Sequence, residues 1–251
     1  MAEKATNQDW LDQVQEEALE PELPIIDPHH HLWDQKVGRV NPKYFLEEML
    51  EDTNSGHNIV ATVFIECGAM FRADSPDYLK PLGETEFVNG IAAQSASGIY
   101  GPTRVAAGIV GTMDWRRGAG VAEILDQHIT LGSGRFRGIR VGATWDASSD
   151  VENHRTEPPQ GLYSDPVFRD AFAELAKRDL SFEAWCYHPQ IPALADLARA
   201  HPDNRIVLDH FGGPIGIGPY ADNKDEVYEE WKANLADLAT CENVVAKLGG
   251  L

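Results

Sequence analysis

Short runs of consecutive apolar residues alternate along this chain with stretches in which apolar residues recur every three or four positions. The runs fall at about 24–28, 61–68, 104–110, 136–143, 180–187, 205–209 and 244–248, and their β-branched and aromatic content predicts strands. Between them, helical spacing is carried by Phe45, Met49 and Leu50, by Phe87, Val88 and Ile91, by Val121, Ile124 and Leu125, by Phe168, Phe172 and Leu175, by Ile191, Leu194 and Leu197, and by Val227, Trp231 and Leu235. Ser164-Asp165-Pro166 reads as a helix start, with Asp165 as cap and proline at the first helical position. Residues 1–22 form an acidic lead-in, in which Asp9-Trp10-Leu11, Val14, Ala18 and Leu19 give a weak amphipathic pattern closed by Pro21 and Pro24. The polar loop that follows the first strand contains Gly38 and Pro42.

Strands that are apolar almost throughout are buried on both faces, as in a parallel sheet covered by helices. No linker, repeat or low-complexity segment divides the chain, so the pattern predicts one α/β domain over 23–251. Polar and unusual residues fall repeatedly just after the strands: His29 and His31, Glu66, Arg140 to Asp146, His188 and His210. In a (β/α)8 TIM barrel that edge is the catalytic face. A doubly wound sheet draws on one switch point, whereas nearly every strand contributes here, which favours the barrel. Only seven strands are counted before Leu251, so the domain reads as a barrel that stops before its eighth strand, unless the strands are overcounted.

Composition narrows the function. The 251 residues carry 21 Lys+Arg against 40 Asp+Glu, a net charge of −19, which disfavours nucleic acid and anionic membrane surfaces as partners. A small-molecule substrate is the expected partner, and the oligomeric state is left open. Three widely spaced cysteines, Cys67, Cys186 and Cys241, predict neither a disulfide framework nor a cysteine zinc site. With no signal-peptide pattern and no membrane span, the expected location is cytoplasmic.

The chemistry concentrates in Leu-Pro-Ile-Ile-Asp-Pro-His-His-His-Leu-Trp-Asp, residues 23–34. Strand alternation puts Asp27, His29 and His31 on one face and Pro28, His30 and Leu32 on the other. Two imidazoles about 7 Å apart along a strand could reach one ion beyond its end. The competing reading is a polar turn with histidines bonded to backbone. His210, after Ile206–Leu208, could supply a third nitrogen and leave an open position for water. Asp209 reads equally as a partner of loop amides. Glu66 and Arg72 could contact substrate or form an internal salt bridge. Arg140 lies inside an apolar strand and must point at the barrel mouth or at a buried acid. His188 fits function or loop structure equally. Trp33, Trp145 and Trp185 could line a pocket or pack in the core. His30, His57, His128, His154 and His201 read as structural. Nucleophile-elbow, phosphate-loop and dinucleotide motifs are absent from the sequence.

Four segments, I-I-D-P-H-H-H-L-W-D, G-I-R-V-G-A-T-W-D, D-P-V-F-R-D-A-F-A-E-L-A and H-P-D-N-R-I-V-L-D-H-F-G-G-P, together resemble the amidohydrolase-related TIM-barrel hydrolases. The branch resembled contains L-fuconolactonase-like and 2-pyrone-4,6-dicarboxylate lactonase-like enzymes. The resemblance implies His29, His31 and His210 as site histidines, catalytic or metal-bound. It also implies an eighth-strand aspartate lying beyond Leu251. Members differ in metal use, so a divalent ion, zinc foremost, or none is implied. The implied reaction is attack of water on a lactone of sugar-acid or aromatic-degradation metabolism, with Arg140 or Arg72 holding a substrate carboxylate or hydroxyl. Glu66, His188 and Trp145 would complete the substrate contacts. A metal-dependent decarboxylase of the same superfamily and a non-catalytic barrel are the alternatives.

Overall fold

The computed structural model describes residues 13–14, 16–34 and 43–249. It comprises two compact units, Met1–Gly111 with His128–Phe136, and Thr112–Gln127 with Arg137–Leu251.

In the first unit, parallel strands β1 (Ile25–His30), β4 (Ile59–Ile65) and β5 (Arg104–Gly111) lie in that order. Two-residue strands β2 (Trp33–Asp34) and β3 (Lys43–Tyr44) form a small antiparallel pair. Helices α1 (Leu46–Thr53) and α2 (Leu82–Ala96) complete it. Phe64, Ile65, Leu82, Val88 and Ile109 are fully buried and form its core. Glycine is required at Gly83, because a Cβ there would stand 2.5 Å from the Met70 carbonyl oxygen. That close approach presses α2 against the loop following β4.

The second unit repeats the plan with four parallel strands, β6 (Phe136–Gly142), β7 (Ser181–Trp185), β8 (Ile206–Leu208) and β9 (Val244–Ala246), paired in sequence order. Its helices are α4 (Pro166–Ala176), α5 (Ile191–Ala200) and α6 (Lys224–Leu238). Helix α3 (Ala122–Leu131) has residues in both units. Phe172 and Phe182 pack edge to face at 5.2 Å, and Phe168 meets Phe182 at 5.7 Å, so one aromatic cluster fastens α4 to β7. Helix α4 starts where the sequence predicts. The Asp165 side chain accepts from the amides of Val167 and Phe168, and Pro166 follows the cap.

Seven parallel strands alternating with helices are the repeat of the TIM-barrel architecture. Some boundaries differ from the sequence pattern. Strand β7 ends at Trp185 rather than Tyr187, because Gln190 receives the Tyr187 amide and Pro189 has none to give. Strand β1 runs on to His30 with a register shift between Asp27 and His30. The helical pattern at Asp9-Trp10-Leu11, the loop residues Gly38 and Pro42, and the terminal Gly250 and Leu251 lie outside the described residues. Val14 and Leu19, from the same pattern, are exposed and lie outside any helix. Among the described residues, no helix is long and apolar enough to cross a membrane.

Candidate active site

In the first unit the chemistry gathers at the end of β1. Three residues on β1 step past two on β4 between Asp27↔Thr62 and His30↔Phe64, a bulge that breaks strict alternation. Asp27 Oδ1 accepts the His29 amide at 3.0 Å and holds the bulge. The His29 and His31 rings then meet edge to face at 5.0 Å, and Trp33 stacks on His31 at 5.6 Å. The His31 Nδ1 lies 2.8 Å from the Ile65 carbonyl oxygen. A carbonyl can only accept, so Nδ1 carries a proton, and in the neutral ring the lone pair is on Nε2. This backbone-oriented tautomer is the usual state of a metal-ligating histidine. His30 turns the other way into the core, with its Nε2 2.8 Å from Thr62 Oγ1, as its structural reading requires.

Glu66 is buried directly after β4, and its amide donates to the Val110 carbonyl at 2.9 Å. The next turn is held by the buried Glu84, whose Oε1 accepts the amides of Cys67 at 3.0 Å and Ala69 at 2.8 Å. Arg72 forms a two-pronged pair with Glu86 at 2.9 and 2.5 Å, which realises the salt-bridge reading of this residue.

In the second unit Arg140 meets a buried acid. Its guanidinium lies 3.7 Å from Oδ2 of Asp209, which is inaccessible to solvent. Lys247 stands on the other side of that carboxylate, 3.2 Å from Oδ1, and also pairs closely with Glu183. Arg140 on β6, Glu183 on β7, Asp209 after β8 and Lys247 after β9 thus form a buried polar network across four strand ends. Burial, and then the neighbouring Asp209, pushes the Glu183 carboxyl up to about 8 against the pull of Lys247. Glu183 and Lys247 are not among the site residues that the sequence predicts. Their signal was the one that marked Arg140, a charge inside an apolar run.

His210 follows on a strained turn. His210 (φ 50, ψ 36) and Phe211 (φ 50, ψ 25) are both left-handed, a conformation that costs about 1–2 kcal/mol per non-glycine residue. Gly212 continues at φ 69, where a Cβ would stand 2.6 Å from Ile191 Cδ1. The Trp185 ring meets the His210 ring edge to face at 4.6 Å. Burial lowers the pKa of His210 and favours its neutral imidazole.

His188 is fully buried. Its Nδ1 accepts the Ile215 amide at 3.3 Å, and its Nε2 has no hydrogen-bond partner among the described residues. Its ring packs at 5.2 Å against Tyr220, whose hydroxyl donates to Asp146 at 2.7 Å. Trp145 is half-buried, and its carbonyl accepts from Gln190 at 2.8 Å. The Tyr187 hydroxyl donates to the Glu152 carbonyl at 2.5 Å. These three bonds strap the long loop after β6 to the turns after β7 and β8. Cys186, buried beside Tyr163, has its thiol pushed up to about 12 by burial and is no nucleophile at neutral pH. Among the predicted residues, the structure therefore pairs His29 with His31 and Arg140 with Asp209, and it engages Arg72 elsewhere.

Comparison with known proteins identifies the family. The chain is 29% identical to the protein y4mH of Sinorhizobium fredii, over 92% of this chain and 74% of the relative. It is 28% identical to an L-fucono-1,5-lactonase of Burkholderia ambifaria, over 90% of this chain and 67% of the relative. The fold matches the crystal structure of a zinc-bound amidohydrolase from Burkholderia multivorans with a TM-score of 0.64 at 22% identity, covering 90% of this chain and 69% of that one. The amidohydrolase family model matches residues 26–251, and the chain belongs to the amidohydrolase family.

Proposed function

We propose that this amidohydrolase opens a lactone or related cyclic ester of a small sugar acid, with His29, His31 and His210 as its working histidines. The observation that carries the reading is the His29–His31 pair at the end of β1, with the His31 tautomer fixed by the Ile65 carbonyl. The likeness to an L-fucono-1,5-lactonase points to the ester.

Each of these imidazoles is chemically suited to a divalent ion of the zinc type. His31 presents its Nε2 lone pair, His29 stands beside it, and His210 is held neutral by burial. Such an ion, when bound, polarises an ester carbonyl and acidifies water. The chain's own groups supply the rest. As neutral imidazoles, these histidines either hold the ion or take the proton of the attacking water. Attack at the lactone carbonyl breaks the ring C–O bond and leaves a hydroxy acid. Glu66, Arg140, His188 and Trp145 are assigned to the substrate's polar groups and ring.

A panel of γ- and δ-lactones of sugar acids, followed by pH-stat with and without added zinc, tests the proposal. Turnover should fall by about 10²–10⁴-fold in His29→Ala, His31→Ala and His210→Ala. Chelation should lower it, and zinc should restore it. A protein that opens no lactone on the panel, or that releases carbon dioxide from a carboxylated substrate without incorporating water oxygen, sinks the lactonase reading.

A further inference from the structure

We propose that Lys247 is a positioning residue of this hydrolase, clamping the strained Asp209–His210–Phe211 turn so that the His210 ring is held in its working orientation. The proposal rests on the hydrolase reading for its activity arm alone.

Left-handed non-glycine residues persist only where their surroundings fix them, and two occur in succession here. Lys247 fixes this turn at two points. Its backbone amide donates to the Leu208 carbonyl at 3.0 Å, which ties β9 to the residue just before the turn. Its ammonium lies 3.2 Å from Asp209 Oδ1, on the first residue of the turn. The ammonium is itself aimed by Glu183, one strand further on. Arg140 lies 3.7 Å from the other carboxylate oxygen, so the Asp209 carboxylate stands between two cations. The far end of the turn is held separately, by the Trp231 indole donating to the Phe211 carbonyl at 2.7 Å. A buried ionic network of this kind is seldom the most stable way to fill a core, and apolar residues of similar volume often do as well. Its placement beside a strained histidine at the strand ends indicates that it sets geometry.

The test uses Lys247→Met, which keeps the length of the side chain and removes the charge, with Lys247→Arg as the conservative partner. Two readouts are taken. The first is lactone turnover, in which Lys247→Met should lower kcat by about 10–100-fold with KM nearly unchanged, as expected for a displaced site group. Lys247→Arg should recover most of the loss. The second is independent of activity: the ring nitrogen resonances of His210, identified by their loss in His210→Asn, should shift or broaden in Lys247→Met and return in Lys247→Arg. Where Lys247→Met alone fails to fold, Lys247→Met with Glu183→Gln removes both ionisable groups of the pair together and carries both readouts. If the wild-type protein opens no lactone, the hydrolase reading falls and the His210 resonances still decide the clamp. Wild-type kcat with unshifted His210 resonances, in a folded Lys247→Met or double variant, overturns it.

Discussion

His30 shows how one side chain in a histidine run is set apart from its neighbours. It is buried against Thr62, whose Oγ1 also receives the Ala106 amide at 2.8 Å, and desolvation lowers its pKa from 6.5 to about 4. The folded chain therefore keeps this ring neutral where the unfolded chain would protonate it. Its contribution to stability is complete above pH 6.5 and is lost as the pH falls toward 4, amounting to about 3 kcal/mol. Urea unfolding at pH 7 and pH 4.5 should show a steeper acid loss in the wild type than in His30→Gln, and equal slopes would refute the assignment. At this scale the sequence was readable where chemistry contradicted its surroundings. Strand alternation separates His30 from its neighbours, and a charge inside an apolar run marks Arg140 as pointing at the barrel mouth or at a buried acid. Which partner satisfies such a group depends on the register of several strands, so the network of Arg140, Glu183, Asp209 and Lys247 could not be assembled from spacing alone.

Elements were readable where their signals are local. The start of α4 is the clearest case, since cap, proline and first apolar turn lie within a few residues. Asp165→Ala should lower stability by about 1 kcal/mol, seen as a lower urea midpoint at unchanged slope. A variant as stable as the wild type would mean that the two amides find water as readily as the carboxylate. Features built from distant partners left no such mark. The bulge in β1 depends on pairing with β4, and the straps on the loop after β6 depend on residues from two later turns. Tyr187 and Gln190 gave no sign in the sequence of holding that loop.

For the molecule as a whole, the strand–helix repeat was enough to reach the fold, because parallel strands buried on both faces leave an apolar run that few other plans produce, while the family rests on the resemblance of four segments. The net charge of −19 bears on partners and says little about the site, where acids and bases face one another.

The parallel ladder also dictates an order of events. Even its nearest partners in sequence within the second unit, Phe182 and Ile206, are separated by the whole of α5, and Ile206 and Val244 by the whole of α6. No hairpin can start this sheet, so each strand must wait for the helix that returns the chain to it, and such non-local pairing is slow. The turn bearing His210 waits longest, because Lys247 arrives with the last described strand. Pulsed hydrogen exchange during refolding should find the amides of α5 and α6 protected before those of Ile206 and Lys247, which bond to Asn243 and Leu208. Protection in the reverse order would contradict it. A chain interrupted before Val244 would hold every residue of that turn and still lack the geometry that gives it a purpose.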